Sequence, residues 1–333
     1  DGSTDRTASI LHELSEKYER VRVVYLRENQ GKGAALNMGC LISGGDFILT
    51  IDADALLDPK ALKWMAWHFY IFPRVGAVTG NPRVLNRTTL LGKIQTGEYA
   101  SIIGLIKRTQ RILGKVLTVS GVIAAFRKQA LLSVGLWDTD MVTEDIDITW
   151  KLEKDFWDVR FEPRAICWVR TPETIKGLWR QRLRWAQGGI EVLRKHYDIW
   201  QNWKQRRLWP VYVEYVFSIF WAYSFWTLII LWMLQEILDL NLPIRFLPPI
   251  PPRWTGSTLA LTCVAMFAVS VYVDNVYEKK FFRSLFWVIW YPFIYWMINA
   301  LTVTVAVPKA LLKKKGAKAV WESPDRGFDK LKL

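Results

Sequence analysis

Two adjacent carboxylates, Glu144 and Asp145, stand where a loop enters a helix. Thr143 precedes them, and an amphipathic apolar pattern follows from residue 146. A pocket can hold such a pair so that one carboxylate removes the proton of a reacting hydroxyl. We therefore predict that Asp145 is a general base and that Glu144 positions it or its substrate. The alternative is structural, because acidic side chains also stabilise the N-terminal end of a helix dipole.

A second carboxylate pair, Asp52 and Asp54, directly follows the apolar run at residues 47–51. Carboxylate oxygens suit Mg²⁺ or Mn²⁺, and such an ion neutralises a diphosphate. A pair of turn residues is the alternative interpretation. Ser120 and Gly121 enter another predicted strand, and small residues let a ligand approach the backbone closely. A simple turn explains these two residues equally well.

A third group lies on a long helix predicted over residues 174–196. Gln181, Arg184 and Trp185 are spaced i, i+3 and i+4, so they share one helix face. Guanidinium groups make forked contacts to phosphate oxygens, and an indole offers a flat apolar surface to a sugar ring. The face therefore suits a diphosphate and a sugar. The alternative is an Arg- and Trp-rich helix lying at a membrane surface.

Alternating helices and strands must bring these groups together. The predicted strands cover residues 21–26, 47–51, 75–79, 120–126 and 159–161, and predicted helices begin near residues 4, 31, 58 and 174. This alternation predicts an α/β domain with a mainly parallel sheet over residues 1–189. Ligands of such sheets lie beyond the C-terminal strand ends, where Asp1 and the Asp52–Asp54 pair are expected. The sequence has no G-x-G-x-x-G after a strand, which disfavours a dinucleotide-binding fold.

Charge and aromatic content favour a membrane partner over nucleic acid. The formal net charge is +14, and the 19 Trp concentrate in the C-terminal half, within or beside apolar runs. Basic residues that flank Trp-rich apolar runs are typical of proteins on the anionic face of a membrane. The three Cys and three His are far apart, so a disulfide framework or a His/Cys metal site is disfavoured. Any metal must then be bound by oxygen.

The second half of the chain predicts a membrane region. Residues 190–210 carry the apolar stripe of an amphipathic helix lying in the interface. Apolar stretches at residues 211–234, 259–276 and 285–307 predict two or three spans, the middle one being marginal in length. Three spans would place the basic tail, residues 308–333, outside the cell, against the positive-inside rule. Either one stretch is then re-entrant or interfacial, for which the middle stretch is the candidate, or the tail is an exception to that rule.

A resemblance to a known family rests on four motifs in chain order. They are Asp1-Gly2-Ser3, Asp52-Ala53-Asp54, Thr143-Glu144-Asp145 and Gln181-Arg182-Leu183-Arg184-Trp185. Together they resemble the processive, membrane-embedded family 2 glycosyltransferases, which include the cellulose, chitin, hyaluronan and poly-N-acetylglucosamine synthases. Residues 29–37, 179–189 and 321–327 resemble most the bacterial synthases of β-1,6-linked poly-N-acetylglucosamine. The chain begins inside a motif and without Met, so we expect the family's N-terminal spans and first strand to precede it.

The resemblance implies a GT-A-like nucleotide-sugar-binding domain, followed by an interface helix and α-helical transmembrane segments. For the UDP-sugar donor, it implies that Asp1 contacts the uracil and that Lys32 lies near the nucleotide. It also implies that Asp52 holds the nucleotide part and that Asp54 binds a divalent cation, Mg²⁺ or Mn²⁺, on the diphosphate. Ser120 is expected at the same substrate site.

For the acceptor, the resemblance implies that Asp145 deprotonates the attacking hydroxyl. Gln181 and Arg184 would hold the diphosphate, and Trp185 would stack on the terminal acceptor sugar. One base opposite the leaving group gives direct displacement with inversion, so an α-linked UDP-sugar yields a β-linked polymer. The expected reaction is processive transfer of N-acetylglucosamine from UDP-GlcNAc to a growing polysaccharide chain.

The resemblance also implies a location and partners. The expected protein is a multi-pass protein of the bacterial plasma membrane that contacts lipids and has its catalytic domain in the cytoplasm. Polymer translocation and a small membrane subunit are further implications, and nucleic acid is not an expected partner. Alternatives are another family 2 polymer synthase, a non-processive lipid-linked sugar transferase, or a nucleotide-binding module without catalysis. The last two are disfavoured by the Gln181–Trp185 face and by the presence of both Asp54 and Asp145.

Overall fold

The computed structural model describes residues 1–239, 243–250, 252–278, 281–288, 291, 295–314, 316 and 319. An α/β domain occupies the first half of the chain, and long apolar helices follow it. The motif at residues 321–327 and most of the predicted basic tail lie outside the described residues.

The sheet is mixed rather than mainly parallel. Its strands are β1 (Phe47–Ile51), β2 (Ala55–Leu57), β3 (Val75–Val84), β4 (Ile123–Arg127) and β5 (Asp158–Val169). They lie in the order β1-β4-β3-β5-β2. Among these described strands, β3 and β5 alone form a parallel pair, and the other three pairings are antiparallel. The prediction of a mainly parallel sheet is therefore wrong, because apolar periodicity does not encode strand direction.

The degree to which a strand is buried does not follow from its apolar content alone. β3 is buried along its whole length at the centre of the sheet. β1 has the near-continuous apolar run that is typical of a strand buried on both faces, but it is an edge strand and only half-buried. The strand predicted over residues 21–26 does not form in the described part of the chain. There the Gly2 N–H donates to the Leu26 carbonyl over 3.0 Å, which is a single contact rather than a ladder.

Helices cover both faces of the sheet. In chain order they are α1 (Thr7–Lys17), α2 (Lys32–Ile42), α3 (Ala61–Ile71), α4 (Leu90–Glu98), α5 (Ile106–Leu113), α6 (Lys128–Ser133), α7 (Glu144–Lys154) and α8 (Ile175–Lys195). A π-helix, Tyr99–Leu105, joins α4 to α5. The predicted start of α8 is confirmed, because the Thr174 hydroxyl accepts the Gly177 N–H over 3.1 Å and caps it.

Two apolar layers hold the domain together, one on each side of the sheet. The first buries Phe126, Trp137 and Ile148 between α2, β4 and α7. The second buries Met65 and Phe69 of α3, with partners that include Val78 and Cys167. Burying a large apolar side chain contributes about 2–3 kcal/mol, so these layers fix α7 against the strands that carry the candidate site.

The C-terminal part of the chain contains α9 (Trp209–Ile237), α10 (Trp254–Asp274), α11 (Leu285–Val288) and α12 (Trp296–Leu312). Within the described residues, α9 and residues 255–274 of α10 are long and apolar enough to cross a membrane, whereas α12 is shorter. The single interface helix predicted over residues 190–210 is wrong. Instead α8 ends at Lys195, and short 3₁₀ turns follow at Tyr197–Gln201 and Trp203–Gln205 before α9 begins.

Helix α12 runs along α8. At its start, the Tyr295 hydroxyl lies 3.3 Å from Nη2 of Arg182. At its end, the Arg194 guanidinium donates to the Leu311 carbonyl over 3.1 Å, and Lys313 pairs with Glu191 at 2.9 Å. Both ends of α12 therefore contact α8 of the α/β domain.

Candidate active site

The Asp145 carboxylate is half-buried at the N-terminus of α7 and is fixed by backbone donors. The Gly121 N–H donates to Oδ2 over 3.1 Å, and the Ile146 N–H donates to Oδ1 over 3.0 Å. A side chain at position 121 would place its Cβ 3.1 Å from Oδ2. Glycine at 121 thus lets the loop approach the carboxylate, while the remaining exposed part of Asp145 can face a ligand.

Helix α7 presents a ladder of side-chain acceptors to the loop at residues 116–121. Asp145, Thr149 and Glu153 follow one another at intervals of four, so they share one face. Thr149 Oγ1 accepts the Val119 N–H over 2.9 Å, and Glu153 Oε1 accepts the Val116 N–H over 3.0 Å. Together with the Gly121 bond, these contacts set the register between the loop and the helix, and hence the place of Asp145.

Lys32 contacts two of the predicted site residues, Asp52 and Glu144, and the backbone at Gly121. Its ammonium donates to Asp52 Oδ1 over 2.5 Å, to the Gly121 carbonyl over 3.1 Å, and lies 3.2 Å from Glu144 Oε1. Burial acts to lower the pKa of Lys32, but the carboxylates of Glu144 and Asp52 outweigh it and raise that pKa above its ordinary value. Lys32 is therefore a cation held among carboxylates.

Glu144 is more deeply buried than its neighbour Asp145 and serves a different contact. Burial raises the pKa of Glu144 above its ordinary value, although the Lys32 ammonium opposes that rise. The charges of Asp145 and Arg184 also act on this carboxyl group. The two adjacent acids of the motif are thus directed to different partners, Glu144 to Lys32 and Asp145 to the loop backbone.

Asp1 lies beside the start of α2 and contacts the two residues that directly precede Lys32. Its two carboxylate oxygens accept the backbone N–H groups of Gln30 and Gly31 over 2.7 and 2.9 Å. Gly31 has φ 90°, a backbone conformation that favours glycine. The structure therefore joins the predicted Asp1 and Lys32 through one tight turn.

Asp54 follows β1 by three residues and is partly buried on the turn that leads to β2. Across the described residues, no group of three or more His, Cys, Asp or Glu is placed to hold a metal. Mg²⁺ is commonly held by one or two carboxylates together with substrate phosphates. A site completed by a bound diphosphate therefore fits Asp54, and the Asp52 carboxylate accepts the Lys32 ammonium.

Helix α8 brings the third predicted group against the site. A side chain at Gly188 would place its Cβ 2.3 Å from Thr143 Oγ1, so glycine allows α8 to pack directly on the residue before Glu144. Gln181 is buried, and its Oε1 has no hydrogen-bond partner among the described residues. Arg184 and Trp185 are partly buried. The predicted diphosphate and sugar face is thus beside the carboxylates.

Ser120 lies one residue from the Asp145 contact but is directed to a buried lysine. The Lys107 ammonium donates to Ser120 Oγ over 2.7 Å, and the Ser120 N–H donates to Thr79 Oγ1 over 2.7 Å. Burial lowers the pKa of Lys107 to about 7. The Ser120 hydroxyl thus binds the buried Lys107 and helps to hold the loop at residues 116–121. Its contact with a substrate remains a prediction.

Sequence reasoning missed Lys107, Thr149 and Glu153, which support the site without belonging to a motif. The spacing of Asp145, Thr149 and Glu153 at i, i+4 and i+8 was a usable signal for the last two. Lys107 gave none, because it is one of several basic residues between positions 87 and 115 and belongs to no motif. Its partners Thr79 and Ser120 are 28 and 13 residues away.

Comparison with known proteins identifies the family and the fold. Residues 47–307 match the family model described as glycosyl transferase family group 2. Poly-beta-1,6-N-acetyl-D-glucosamine synthases of Staphylococcus aureus strain COL and Staphylococcus epidermidis are each 44% identical to this chain, over 98% of it and 79% of their own length.

Among solved structures, a mannosyltransferase from Pyrobaculum calidifontis in complex with GDP-Man and Mn²⁺ shares the fold. Its TM-score is 0.63 at 19% identity, and the match covers 94% of this chain and 76% of the other. The fold is therefore GT-A-like, with a mixed sheet. The chain belongs to family 2 of the glycosyltransferases.

Proposed function

We propose that this enzyme transfers N-acetylglucosamine from UDP-GlcNAc to the growing end of β-1,6-linked poly-N-acetylglucosamine. The proposal rests on the names of relatives that are 44% identical over nearly the whole chain. It is carried by one geometric observation, namely that Asp145 is held at Gly121, whose carbonyl binds the Lys32 ammonium between Asp52 and Glu144. Gly121 thus contacts both Asp145, the proposed base, and Lys32, the cation of the proposed UDP-sugar site.

In the proposed reaction, Asp145 accepts the proton of the acceptor hydroxyl as that oxygen attacks the anomeric carbon. UDP leaves from the opposite face, so the bond to the diphosphate breaks as the new glycosidic bond forms. A single displacement inverts the α-linked donor to a β-linked product. The backbone N–H groups of Gly121 and Ile146 keep the base oriented before the acceptor arrives.

The leaving UDP carries most of the developing charge, so the donor side needs cations and hydrogen-bond donors. Lys32, Gln181 and Arg184 take this role in the proposal, and Asp1 and Asp52 hold the uracil end and the nucleotide. A Mg²⁺ or Mn²⁺ ion held by Asp54 supplies Lewis-acid stabilisation of the diphosphate when it is bound. The sites of Gln181 and Arg184 on one face of α8 support this division.

On the acceptor side, we assign Trp185 as the surface on which the terminal sugar stacks, and Ser120 as part of the backbone that borders the substrate. The Trp185 ring is partly buried against the second apolar layer, which leaves an indole with restricted motion. A rigid aromatic ring binds a sugar at low entropic cost. Retention of the product end on such a surface is what a processive enzyme requires.

We place the enzyme in the bacterial plasma membrane with its α/β domain in the cytoplasm, where UDP-sugars are available. Two apolar helices, α9 and α10, support membrane insertion. The position of Lys313 next to Glu191 supports a cytoplasmic start for the basic tail, in keeping with the positive-inside rule. Lipid contacts, polymer translocation and a small membrane subunit complete this proposal.

The test is synthesis by membranes that contain the protein, supplied with Mg²⁺ and UDP-GlcNAc or other UDP-sugars. We expect a high-molecular-weight product from UDP-GlcNAc alone that resists chitinase and is degraded by a β-1,6-hexosaminidase. Membranes with Asp145→Asn serve as the control. A chitinase-sensitive product would replace the linkage assignment with a chitin-like one, and equal synthesis by Asp145→Asn would disprove the assignment of the base.

A further inference from the structure

A buried charge pair lies between α4, α8 and the start of α12. Arg182 Nη2 is 2.6 Å from Glu98 Oε2, and both side chains are almost fully buried. Tyr295 also donates to Oε2 over 2.9 Å, while Tyr291 and Asn299 each donate to Oε1 over 3.2 Å. Four donors therefore satisfy the two oxygens of one carboxylate. A buried ion pair of this kind is stable only with such additional hydrogen bonds.

Arg182 also contacts the residue assigned to the acceptor. Its guanidinium carbon lies 4.4 Å from the centre of the Trp185 ring, within the range of a cation–π interaction. Arg182 and Trp185 are three residues apart, so they neighbour each other on α8. The Arg182 guanidinium thus lies against the Trp185 ring and is itself held by Glu98.

The surroundings of Glu98 suggest more than packing. A π-helix begins at Tyr99, directly after Glu98. π-Helical turns inside α-helices occur frequently at functional sites. Tyr295 belongs to the segment that enters α12, so the pair is in contact with the C-terminal part of the chain. The Glu98 carboxylate therefore connects Trp185, through Arg182, to the segment that enters α12.

We infer that Glu98 and Arg182 are positioning residues that hold the Trp185 ring in the orientation that binds the acceptor sugar. The inference rests on the proposed function, because it takes Trp185 as the acceptor surface. Neither residue touches the carboxylates around Lys32 in the described contacts, so donor binding and the base remain independent of the pair. We therefore expect disruption of the Glu98–Arg182 pair to weaken acceptor binding alone.

The test compares three variants of the full protein in membranes. Arg182→Lys keeps the positive charge beside Glu98 but removes the planar group above Trp185. Tyr295→Phe removes one hydrogen bond to Glu98 and keeps the ring. Arg180→Lys is the matched control, because Arg180 is an exposed residue of the same helix. The measured quantities are the KM for a β-1,6-linked N-acetylglucosamine oligomer, the KM for UDP-GlcNAc, and the rate of UDP-GlcNAc hydrolysis without acceptor.

We expect Arg182→Lys to raise the acceptor KM about tenfold and Tyr295→Phe to raise it about threefold. The donor KM, the hydrolysis rate and all values for Arg180→Lys should stay near wild type. A variant that merely unfolds would lose hydrolysis as well as transfer, and Tyr295→Phe then provides the decisive values. Wild-type acceptor KM in both variants, or equal rises in the donor and acceptor KM, would overturn the inference.

Failure of the proposed function gives a different result. Wild-type membranes would then elongate no β-1,6-linked oligomer from UDP-GlcNAc. In that event the same three quantities are measured with whichever UDP-sugar and oligomer the wild type does use. A rise limited to the acceptor KM in Arg182→Lys would still support the positioning role, and an unchanged acceptor KM would still contradict it.

Discussion

The carboxylate of Glu144 lies 3.2 Å from the ammonium of Lys32. Asp145, the next residue, instead accepts the backbone N–H of Gly121. Two adjacent acids at one helix start thus face different partners. Glu144 belongs to the charged group that includes Asp52, whereas Asp145 is held by the neutral N–H groups of Gly121 and Ile146. These different partners support the division of roles proposed from the motif, and the roles themselves remain a prediction.

Substitution of the two acids should separate these roles. Asp145→Asn removes the proton acceptor while keeping the shape, and we expect kcat to fall by at least about 100-fold, the usual contribution of a general base. Glu144→Gln should cost less, about tenfold, because it weakens the Lys32 contact but leaves the base. Steady-state UDP release at saturating UDP-GlcNAc measures both. A larger loss in Glu144→Gln than in Asp145→Asn would reverse the assignment.

Thr149→Val should disturb the site from a distance. Thr149 Oγ1 accepts the Val119 N–H, and its removal leaves a buried donor unsatisfied at a cost of about 1–3 kcal/mol. We expect a melting temperature lower by a few degrees and kcat lower by about tenfold, because the loop that contacts Asp145 shifts. Thr109→Val is the control, since that exposed hydroxyl donates to the Leu105 carbonyl one helical turn earlier. Unchanged kcat in Thr149→Val would contradict a positioning role for the ladder.

Gly188→Ala should separate α8 from the residue that precedes the two acids. The new Cβ would lie 2.3–2.7 Å from the Thr143 side chain, a separation that real structures do not tolerate. We expect transfer to fall about tenfold or more, because α8 must move away from the site. Gly39→Ala on α2 is the matched control, since its Cβ would meet nothing within 4 Å. That variant should be as active as wild type and about 1 kcal/mol more stable.

Glu153 should make stability depend on pH. Burial raises the pKa of its carboxyl to about 7, opposed by Lys115 and by the Val116 N–H. The folded protein therefore favours the protonated form. This stabilisation is complete below the ordinary pKa of 4.5 and is lost as pH rises towards 7, a difference on the order of 3 kcal/mol.

The variant Glu153→Gln tests this dependence, because its amide keeps an acceptor for the Val116 N–H and does not titrate. We expect it to melt at a higher temperature than wild type at pH 8 and near the wild-type temperature at pH 5. Thermal unfolding in detergent across that range gives the comparison. Parallel curves for the two proteins would show that Glu153 is ionised in the folded state throughout.

The dependence of the rate on a divalent metal should change when Asp54 is replaced. In the proposed site one carboxylate and the diphosphate hold the ion, so Asp54→Ala should raise the Mg²⁺ or Mn²⁺ concentration needed for half-maximal rate by about tenfold or more. Chelation of divalent ions should stop synthesis by the wild type. Asp58→Ala, in the turn that precedes α3, is a control with the same change of charge. A metal requirement that is the same in Asp54→Ala and wild type would contradict the assignment.

Much of the site was accessible from local pattern. The spacing of Gln181, Arg184 and Trp185 predicted one helix face, and the α8 boundaries agree within a residue. The pair at Asp52 and Asp54 was expected at a strand end, and β1 does end at Ile51. These features depend on residues within a few positions of one another, which is the range over which helix and strand periodicity act.

The sequence by itself determined which residue types are available, in what order, and which segments are apolar enough for a membrane. Tertiary structure alone decided the antiparallel pairings of β4, the contact of Gly121 with Asp145, and the path of α12 along α8. Gly121 and Asp145 are 24 residues apart, and Glu98 and Arg182 are 84 apart. Such contacts form because packing of the apolar layers brings distant segments together, and local periodicity carries no information about which segments those are.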